Sequence, residues 1–355
     1  MIAPFTYESA PVRVLFGRDT LDRLPAEAAR FGAARFFVVS TAGHAALGQR
    51  AEALLGEHGC GRFAGAVMHT PVEVTAQALD AARAAGAGGV VAIGGGSAIG
   101  LGKALAIRTD WPQITVPTTY AGSEMTPVLG EVEQGRKTTR RDPAIQPETV
   151  LYDVALTESL PAAVSGTSGL NAIAHGVEAL YAVDRNPLTS LMAESGIAAL
   201  AGALPRIVRD GHDLDAREAA LYGAFLCGTC LGQAGMALHH KLCHTLGGSF
   251  GLAHAETHAV ILPHAVAYNA AAAPAAMARL QRALETVEDP ALALHALGRK
   301  LGVPPSLAAL GFAEADIARA AELAAATPYP NPRPIDRAGI AALLRRAWAG
   351  EPPQE

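Results

Sequence analysis

Charge is scarce in this chain: charged residues make up 17% of the sequence and the net charge is −5. That balance leaves no basic footprint for nucleic acid or for an anionic membrane. An anionic ligand would have to be drawn by positive charge gathered at its own site. Aromatic residues are scarcer still, at 5%, and with Ala and Gly abundant the composition favours closely packed helices over an aromatic-rich sandwich. The cysteines, Cys60, Cys227, Cys230 and Cys243, are too few in 355 residues for a disulfide framework. The opening stretch MIAPFTYESAPVRVLF lacks a basic region followed by an apolar core and a small-residue cleavage site. The most apolar stretch, Ala259–Met277, is interrupted by Pro263, His264, Asn269 and Pro274, which argues against a bilayer span. The expectation is a cytoplasmic protein whose partners include neither nucleic acid nor membrane.

What is present is material for large cores, with hydrophobic residues at 50%, and a length that suits two domains of about 100–200 residues each. The first part alternates short β-branched or aromatic runs with Ala-rich helical ones. Val12–Phe16, Phe36–Ser40, Gly61–Val67, Gly89–Ile93, Ile114–Val116 and Val150–Tyr152 read as strands. Leu21–Phe31, Gly48–Glu57, Thr75–Ala85 and Ile99–Ala106 have helical spacing. Strands separated by such helices imply an α/β, Rossmann-like domain built on a parallel sheet. From Leu160 onward the segments are long and Ala/Leu-rich, with Pro161, Pro187, Pro263, Pro274 and the Pro304–Pro305 pair as helix starts or stops. This reads as an all-α C-terminal helical domain, with the boundary placed between residues 157 and 158. A Pro-rich loop, TPYPNPRP, precedes a last helix near Ile340–Trp348.

Chemistry gathers first at Val90–Lys103, VVAIGGGSAIGLGK: a buried strand, then Gly94, Gly95, Gly96 and Ser97, then a helix. Glycines there let backbone N–H groups approach a phosphate, and the helix N-terminus favours the anion. The spacing is neither the usual dinucleotide fingerprint nor a Walker loop, and a bare strand-to-helix turn is the plain alternative. The next strand leads into VPTTYAGSEMT, where Thr118, Thr119 and Ser123 stand at the carboxyl edge of the sheet, the edge at which open α/β folds bind ligands. Ordinary Ser/Thr turn chemistry would also account for them.

Histidines are the second concentration. Asn171 and His175, His240 and His244, and His254 and His258 are each four apart in otherwise apolar helical segments, with His239, Lys241 and His264 alongside. Residues four apart share a helix face, so side chains from separate segments could line one cleft. Neutral imidazoles in such pairs suit a divalent metal; embedded in apolar helices they need polar partners or a wet cleft in any case. His69 and His212 read as ordinary hydrogen-bonded buried residues. Cys227 and Cys230 have redox-motif spacing but sit in an apolar helix without a second pair, and read as packing residues.

Taken in order, FGRDTLDRLP, GGGSAIGLGK, PTTYAGSEMTP, NAIAHGVEALYA and HHKLCHTLGGSFGLAHAETHAVILPH resemble the iron-containing alcohol dehydrogenase family across nearly the whole chain. The resemblance implies an N-terminal nucleotide-binding domain and a helical domain in which an aspartate and histidines hold the metal. Those metal positions fall here on Asn171, His175, His240 and His254, and His244 matches a further histidine near the nicotinamide. Two departures stand out. Gly100 occupies the place of the aspartate in the family's GGGSxxDxxK turn, and Asn171 replaces the metal-binding aspartate. Both departures, with PTTYAGSEMTP, SGLNAIAH and the Lys137–Thr139 segment, resemble the maleylacetate reductase branch.

That resemblance implies reduction of maleylacetate to 3-oxoadipate with NADH or NADPH, a small dicarboxylate substrate, a homodimer and catalysis without metal. Cofactor contacts are expected from Gly94, Gly95, Gly96, Ser97, Thr118, Thr119, Ser123 and Ser40. Ser40 and Thr41 leave the choice between NADH and NADPH open. His175, His240, His244, His254, Lys241 and Asn171 are the expected catalytic set, with Lys241 or Arg333 pairing a substrate carboxylate. The alternatives are a metal-dependent alcohol or polyol dehydrogenase using Asn171 as a weak ligand, and a dehydroquinate synthase-like lyase.

Overall fold

The computed structural model describes residues 4–354 and divides into two compact units, Ser9–Leu160 and a second that begins at Pro161 and takes in the segment before Ser9. In the first unit β1 (Arg13–Gly17), β2 (Phe36–Val39), β3 (Gly59–Phe63), β4 (Gly89–Gly94), β5 (Gln113–Pro117) and β8 (Thr149–Asp153) form a six-stranded sheet in the order β1-β8-β5-β4-β2-β3. Every pairing in it is parallel. The reason is the connections: α1 (Leu24–Ala29), α2 (Ala45–Leu55), α3 (Val72–Ala84) and α4 (Gly96–Thr109) return the chain between strands.

Side chains alternate across the sheet and fill two cores. Phe36, Val38, Val91, Ile93, Ile114 and Val116 pack on one face with Leu21, Leu24, Ala51 and Leu55. Phe37, Val39, Val90 and Ala92 pack on the other with Ala78, Ala82, Leu101 and Leu105. Central strands buried on both faces read as unbroken apolar runs, which is why FFVV and GVVAIG stand out in the sequence.

Gly61–Val67 is corrected: the strand is Gly59–Phe63, because beyond Phe63 the chain leaves the sheet and Ala66 N donates to Ser40 O at 3.0 Å. A hairpin of β6 (Val128–Glu133) and β7 (Arg136–Arg141) was not anticipated. It turns through Gln134 (φ 51) and Gly135 (φ 76), the two positive-φ residues of a tight hairpin turn, but its second strand RKTTRR carries no apolar alternation to announce it.

The second unit is helical: α5 (Ala162–Tyr181), α6 (Pro187–Arg209), α7 (Leu214–Gln233), α8 (Leu238–Phe250), α9 (His254–Asn269), α10 (Pro274–Ala283), α11 (Pro290–Lys300), α12 (Ile317–Ala325) and α13 (Arg337–Ala349). α5, α6 and α7 approach closely because glycines face one another. A Cβ at Gly223 would come within 2.7 Å of Gly196 O, and Cys227 Sγ fills the adjoining space beside Gly176. Cys227 and Cys230 are both buried among these helices. A second core joins Leu238, Leu242 and Leu246 of α8 and Val260 and Ile261 of α9 to Ala321 and Leu344. Pro187 and Pro274 start helices, as expected, but α9 runs straight through Pro263. Burial of nearly the whole of α9 offsets the lost hydrogen bond and ring clash, a cost of about 3 kcal/mol. Among the described residues, the single helix suited by length and composition to a bilayer is α6, not the Ala259–Met277 stretch; Ile197, Leu200 and Leu204 on its buried side pack against α5 and α7.

Candidate active site

The glycine turn lies where β4 ends. Gly94 has φ 137, a conformation that L side chains rarely adopt, and Gly95 caps α4. Thr118 N donates to Gly94 O at 3.0 Å, tying the end of β5 to the turn. A Cβ at Gly95 would lie 2.9 Å from Thr119 Cγ2, whereas one at the exposed Gly96 would meet nothing within 4 Å. Open space in front of the N–H groups that begin a 14-residue helix fits a phosphate, so the turn suits the pyrophosphate of a nicotinamide dinucleotide. Ser97 lies in the first turn of this helix, and Ser40 is buried at the end of β2.

Sequence reasoning missed His44. Its Nδ1 lies 3.0 Å from Thr41 Oγ1 and its Nε2 3.2 Å from Thr118 Oγ1, so it joins the loop after β2 to the loop after β5. Burial lowers its pKa. Lys103 was missed too. Fully buried, its ammonium donates to Thr126 O (2.7 Å), Thr126 Oγ1 (3.0 Å), Val128 O (3.0 Å) and Ser123 O. Ser123 therefore meets this lysine through its backbone, while its Oγ is buried with no partner. Burial pulls Lys103 down to about 7, against the opposing influence of Glu124. At Gly100, a Cβ would stand 2.4 Å from Thr70 Oγ1. Thr70 (φ 48), held in the left-handed region beside His69 (φ 67), thus occupies the room a carboxylate side chain would need.

In the helical unit, Asn171, His175 and Glu178 share one face of α5, at spacings of four and three. α8 supplies His239, His240 and His244 and ends on Gly251 (φ 72), with Leu252 N returning to Leu246 O at 3.4 Å. This tight corner lets α9 begin at His254 and set His254 and His258 beside α8. The rings converge: centroids are 4.9 Å apart for His175–His240, 5.1 Å for His240–His258, 4.3 Å for His254–His258, 6.2 Å for His240–His244 and 6.4 Å for His244–His254. Exposure grades across the cluster, from exposed His244 through half-buried His254 to buried His175, His240 and His258.

Hydrogen bonds organise the buried part into two pairs. His175 Nδ1 lies 2.8 Å from His240 Nε2, and His240 Nδ1 lies 2.7 Å from Glu178 Oε2. His239 Nε2 lies 2.9 Å from His258 Nδ1. Burial pushes His239 and His258 well below the ordinary imidazole value, so neither holds charge near neutral pH. Glu178 is a further residue that sequence reasoning overlooked. Its carboxylate accepts from Ala237 N and His239 N, both at 2.8 Å, and so caps α8 from another helix. A lone carboxylate in GLNAIAHGVEALY, on the face of His175, was the available signal.

Other expected members sit elsewhere. Lys241 donates to Thr327 Oγ1 at 3.3 Å and lies over the Tyr329 ring at 5.9 Å. Arg333 stacks on Tyr268, its Cζ 4.2 Å from the ring centroid; Tyr268 stands ten residues beyond His258, roughly 15 Å along α9. His264 is not a cluster member: burial pulls it down to about 4, with His295 and Arg346 as its charged neighbours. His212 is exposed and His69 half-buried, against the expectation of buried residues.

The donors fit a resident divalent metal poorly. Asn171 Oδ1 is buried without a hydrogen-bond partner, the mark of an oxygen available to a ligand. Yet at the family's metal positions it is a neutral amide, and Nε2 of His240 is already paired with His175. The nearby carboxylate, Glu178, is committed to α8 and to His240 Nδ1. A set of one amide and imidazoles, with no anionic oxygen, binds such cations weakly. His239, Cys243 and His258 also bring ligand atoms within 4.8 Å of one another, but the hydrogen bond between the two rings accounts for their approach.

Comparison with known proteins agrees with this architecture. Residues 11–154 match iron-containing alcohol dehydrogenase, and residues 165–348 match the C-terminal part of the Fe-containing alcohol dehydrogenase family. The chain is 52% identical over 351 residues to a maleylacetate reductase of Rhizobium sp. (strain MTP-10005), covering 99% of each. It is 53% identical over 349 residues to one from Sphingobium indicum, covering 98% of this chain and 99% of that one. The crystal structure of maleylacetate reductase from Agrobacterium tumefaciens superposes with a TM-score of 0.96 at 52% identity, over 99% of this chain and all of that one. With both family regions matched in order and the glycine turn and histidine helices in place, the chain belongs to the iron-containing alcohol dehydrogenase family.

Proposed function

We propose that the chain is a maleylacetate reductase, an oxidoreductase that reduces maleylacetate to 3-oxoadipate with NADH or NADPH and without a metal. The observation that carries this reading is the Asn171–His175–His240–His254 constellation in a chain about half identical, end to end, to proteins of that activity. Replacing the family's aspartate by Asn171 removes a negative charge from a pocket meant for a dianion.

The glycine turn at Gly94, Gly95, Gly96 and Ser97, with Thr118 and Thr119, would hold the dinucleotide, and Ser40, at the end of β2, would contribute to the same cofactor site. Bound reduced nicotinamide supplies a hydride. The chain's own residues do the rest. Hydride addition at the alkene carbon beside the conjugated carboxylate places an enolate on the ketone oxygen, which needs hydrogen-bond donors or positive charge; the neighbouring carbon needs a proton. His239 and His258 are held neutral, and His240 has both ring nitrogens engaged, by Glu178 and by His175, so His175, His244 and His254 are the imidazoles assigned to both tasks, with His240 behind His175. Asn171 orients substrate through its amide. Lys241, which follows His240 on α8 and reaches Thr327 in the structure, is the cation for a carboxylate; Arg333, stacked on Tyr268, braces the Pro-rich loop instead. The reading includes a cytoplasmic homodimer, which light scattering would report as twice the 36.4 kDa of one chain.

The test is NADH oxidation with freshly generated maleylacetate, with and without a strong chelator. Rapid, chelator-resistant oxidation is expected. Activity returning only on addition of iron or zinc would move the orphaned Asn171 oxygen into a ligand role and favour a metal-dependent alcohol dehydrogenase.

A further inference from the structure

We propose that Glu178 is a positioning residue of this reaction: it fixes which ring nitrogen of His240 carries hydrogen and, through His240, which nitrogen of His175 does. The inference rests on the reductase reading for its kinetic consequence, but its structural content stands on its own.

Glu178 is fully buried, and every partner the structure gives it is a donor. Oε2 accepts from Ala237 N at 2.8 Å, His240 N at 3.4 Å and His240 Nδ1 at 2.7 Å. Oε1 accepts from His239 N at 2.8 Å and the Tyr181 hydroxyl at 3.4 Å. Surrounded in this way, the carboxylate acts as acceptor only. His240 must therefore carry hydrogen on Nδ1. In the neutral ring, Nε2 is then a bare lone pair, and it lies 2.8 Å from His175 Nδ1. That short contact requires His175 to donate from Nδ1, so a neutral His175 carries its hydrogen there and its Nε2 holds one only when the ring is charged. One carboxylate thus sets the hydrogen pattern of two rings on two helices, in the manner of a carboxylate that orients a catalytic imidazole. The same oxygens hold the first turn of α8, so the backbone that carries His240 is fixed by the group that orients its ring. Such a device needs a buried carboxylate on the His175 face of α5, three residues on, and Glu178 occupies that position.

The experiment pairs ¹⁵N NMR of histidine-labelled, substrate-free protein with steady-state kinetics of the Glu178→Gln variant. In the native protein His240 is expected to show a protonated Nδ1 and a bare Nε2. In Glu178→Gln, with the amide oxygen at the Oε1 position, His239 N keeps its acceptor while the amide N–H faces His240 Nδ1 in place of Oε2 and Ala237 N loses its partner, so the pattern inverts. The maleylacetate kcat is then expected to fall on the order of 10²–10⁴-fold, with the KM for NADH unchanged. A native His240 with hydrogen on Nε2 overturns the proposal, whether or not the variant folds. So does a folded variant whose kcat stays within about twofold of native. The expected NMR pattern in a protein that does not turn over maleylacetate would uphold the Glu178 assignment and place the failure in the substrate reading.

Discussion

The two units build their sites from different materials. In the α/β unit the candidate site is made of backbone: the Gly94–Gly96 turn offers peptide N–H groups at a helix start, and side chains such as His44 and Lys103 hold loops around it. In the helical unit the chemistry is side chain on side chain, with imidazoles from α5, α8 and α9 joined by ring-to-ring hydrogen bonds. A backbone site depends on local conformation and tolerates change only where no Cβ intrudes. A side-chain site depends on convergence and can change its chemistry at one residue, as Asn171 illustrates.

Substitutions test that contrast most sharply in the helical unit. His254→Ala and His244→Ala are each expected to lower kcat on maleylacetate by about 10²–10³-fold, with little change in thermal midpoint or in the KM for NADH. Unchanged kinetics in both would remove the cluster from catalysis. Asn171→Asp should next lower the reductase rate by roughly tenfold while raising bound iron or zinc, because it restores the anionic ligand; elemental analysis beside the assay checks both halves. In the α/β unit, Gly95→Ala forces Thr119 to move and is expected to raise the KM for NADH about tenfold with kcat within about twofold. A fall in kcat at saturating NADH would blur the distinction between the two kinds of site.

The smallest effect expected is one of stability. His264, drawn down to about 4 by burial, is neutral in the folded protein while the unfolded chain takes up a proton below about 6.5. Stability should therefore be independent of this group above that pH and fall as pH drops toward 4, by at most about 1.4 kcal/mol per pH unit. His264→Leu should flatten the slope of urea midpoint against pH in that window, and an unaltered slope would assign acid sensitivity to other groups.

How much the sequence reveals follows the same division. The parallel sheet and the glycine turn are legible because each is local: apolar runs doubly buried, glycines between strand and helix. The helical cluster is legible as pairs four apart, but its membership is not, because convergence is a tertiary fact. His264 stands in the same apolar helix yet lies six residues past His258, on another face of α9, and belongs to another environment. Glu178 looks like one acidic residue in an apolar helix until α8 is seen to begin on it. The hairpin escapes for the opposite reason, being held by its Gln134–Gly135 turn and by pairing without an apolar stripe.

Lys103 offers a reporter that needs no substrate. The chain has only four lysines, Lys103, Lys137, Lys241 and Lys300, and Lys103 is 1% exposed with its ammonium enclosed by loop oxygens. An amine-reactive reagent can reach it only when the segment from Ser123 to Val128 opens. Mass spectrometry of that one peptide over time would therefore clock local opening of the α/β unit against global unfolding. A ligand that orders the same segment would slow the clock without touching the lysine.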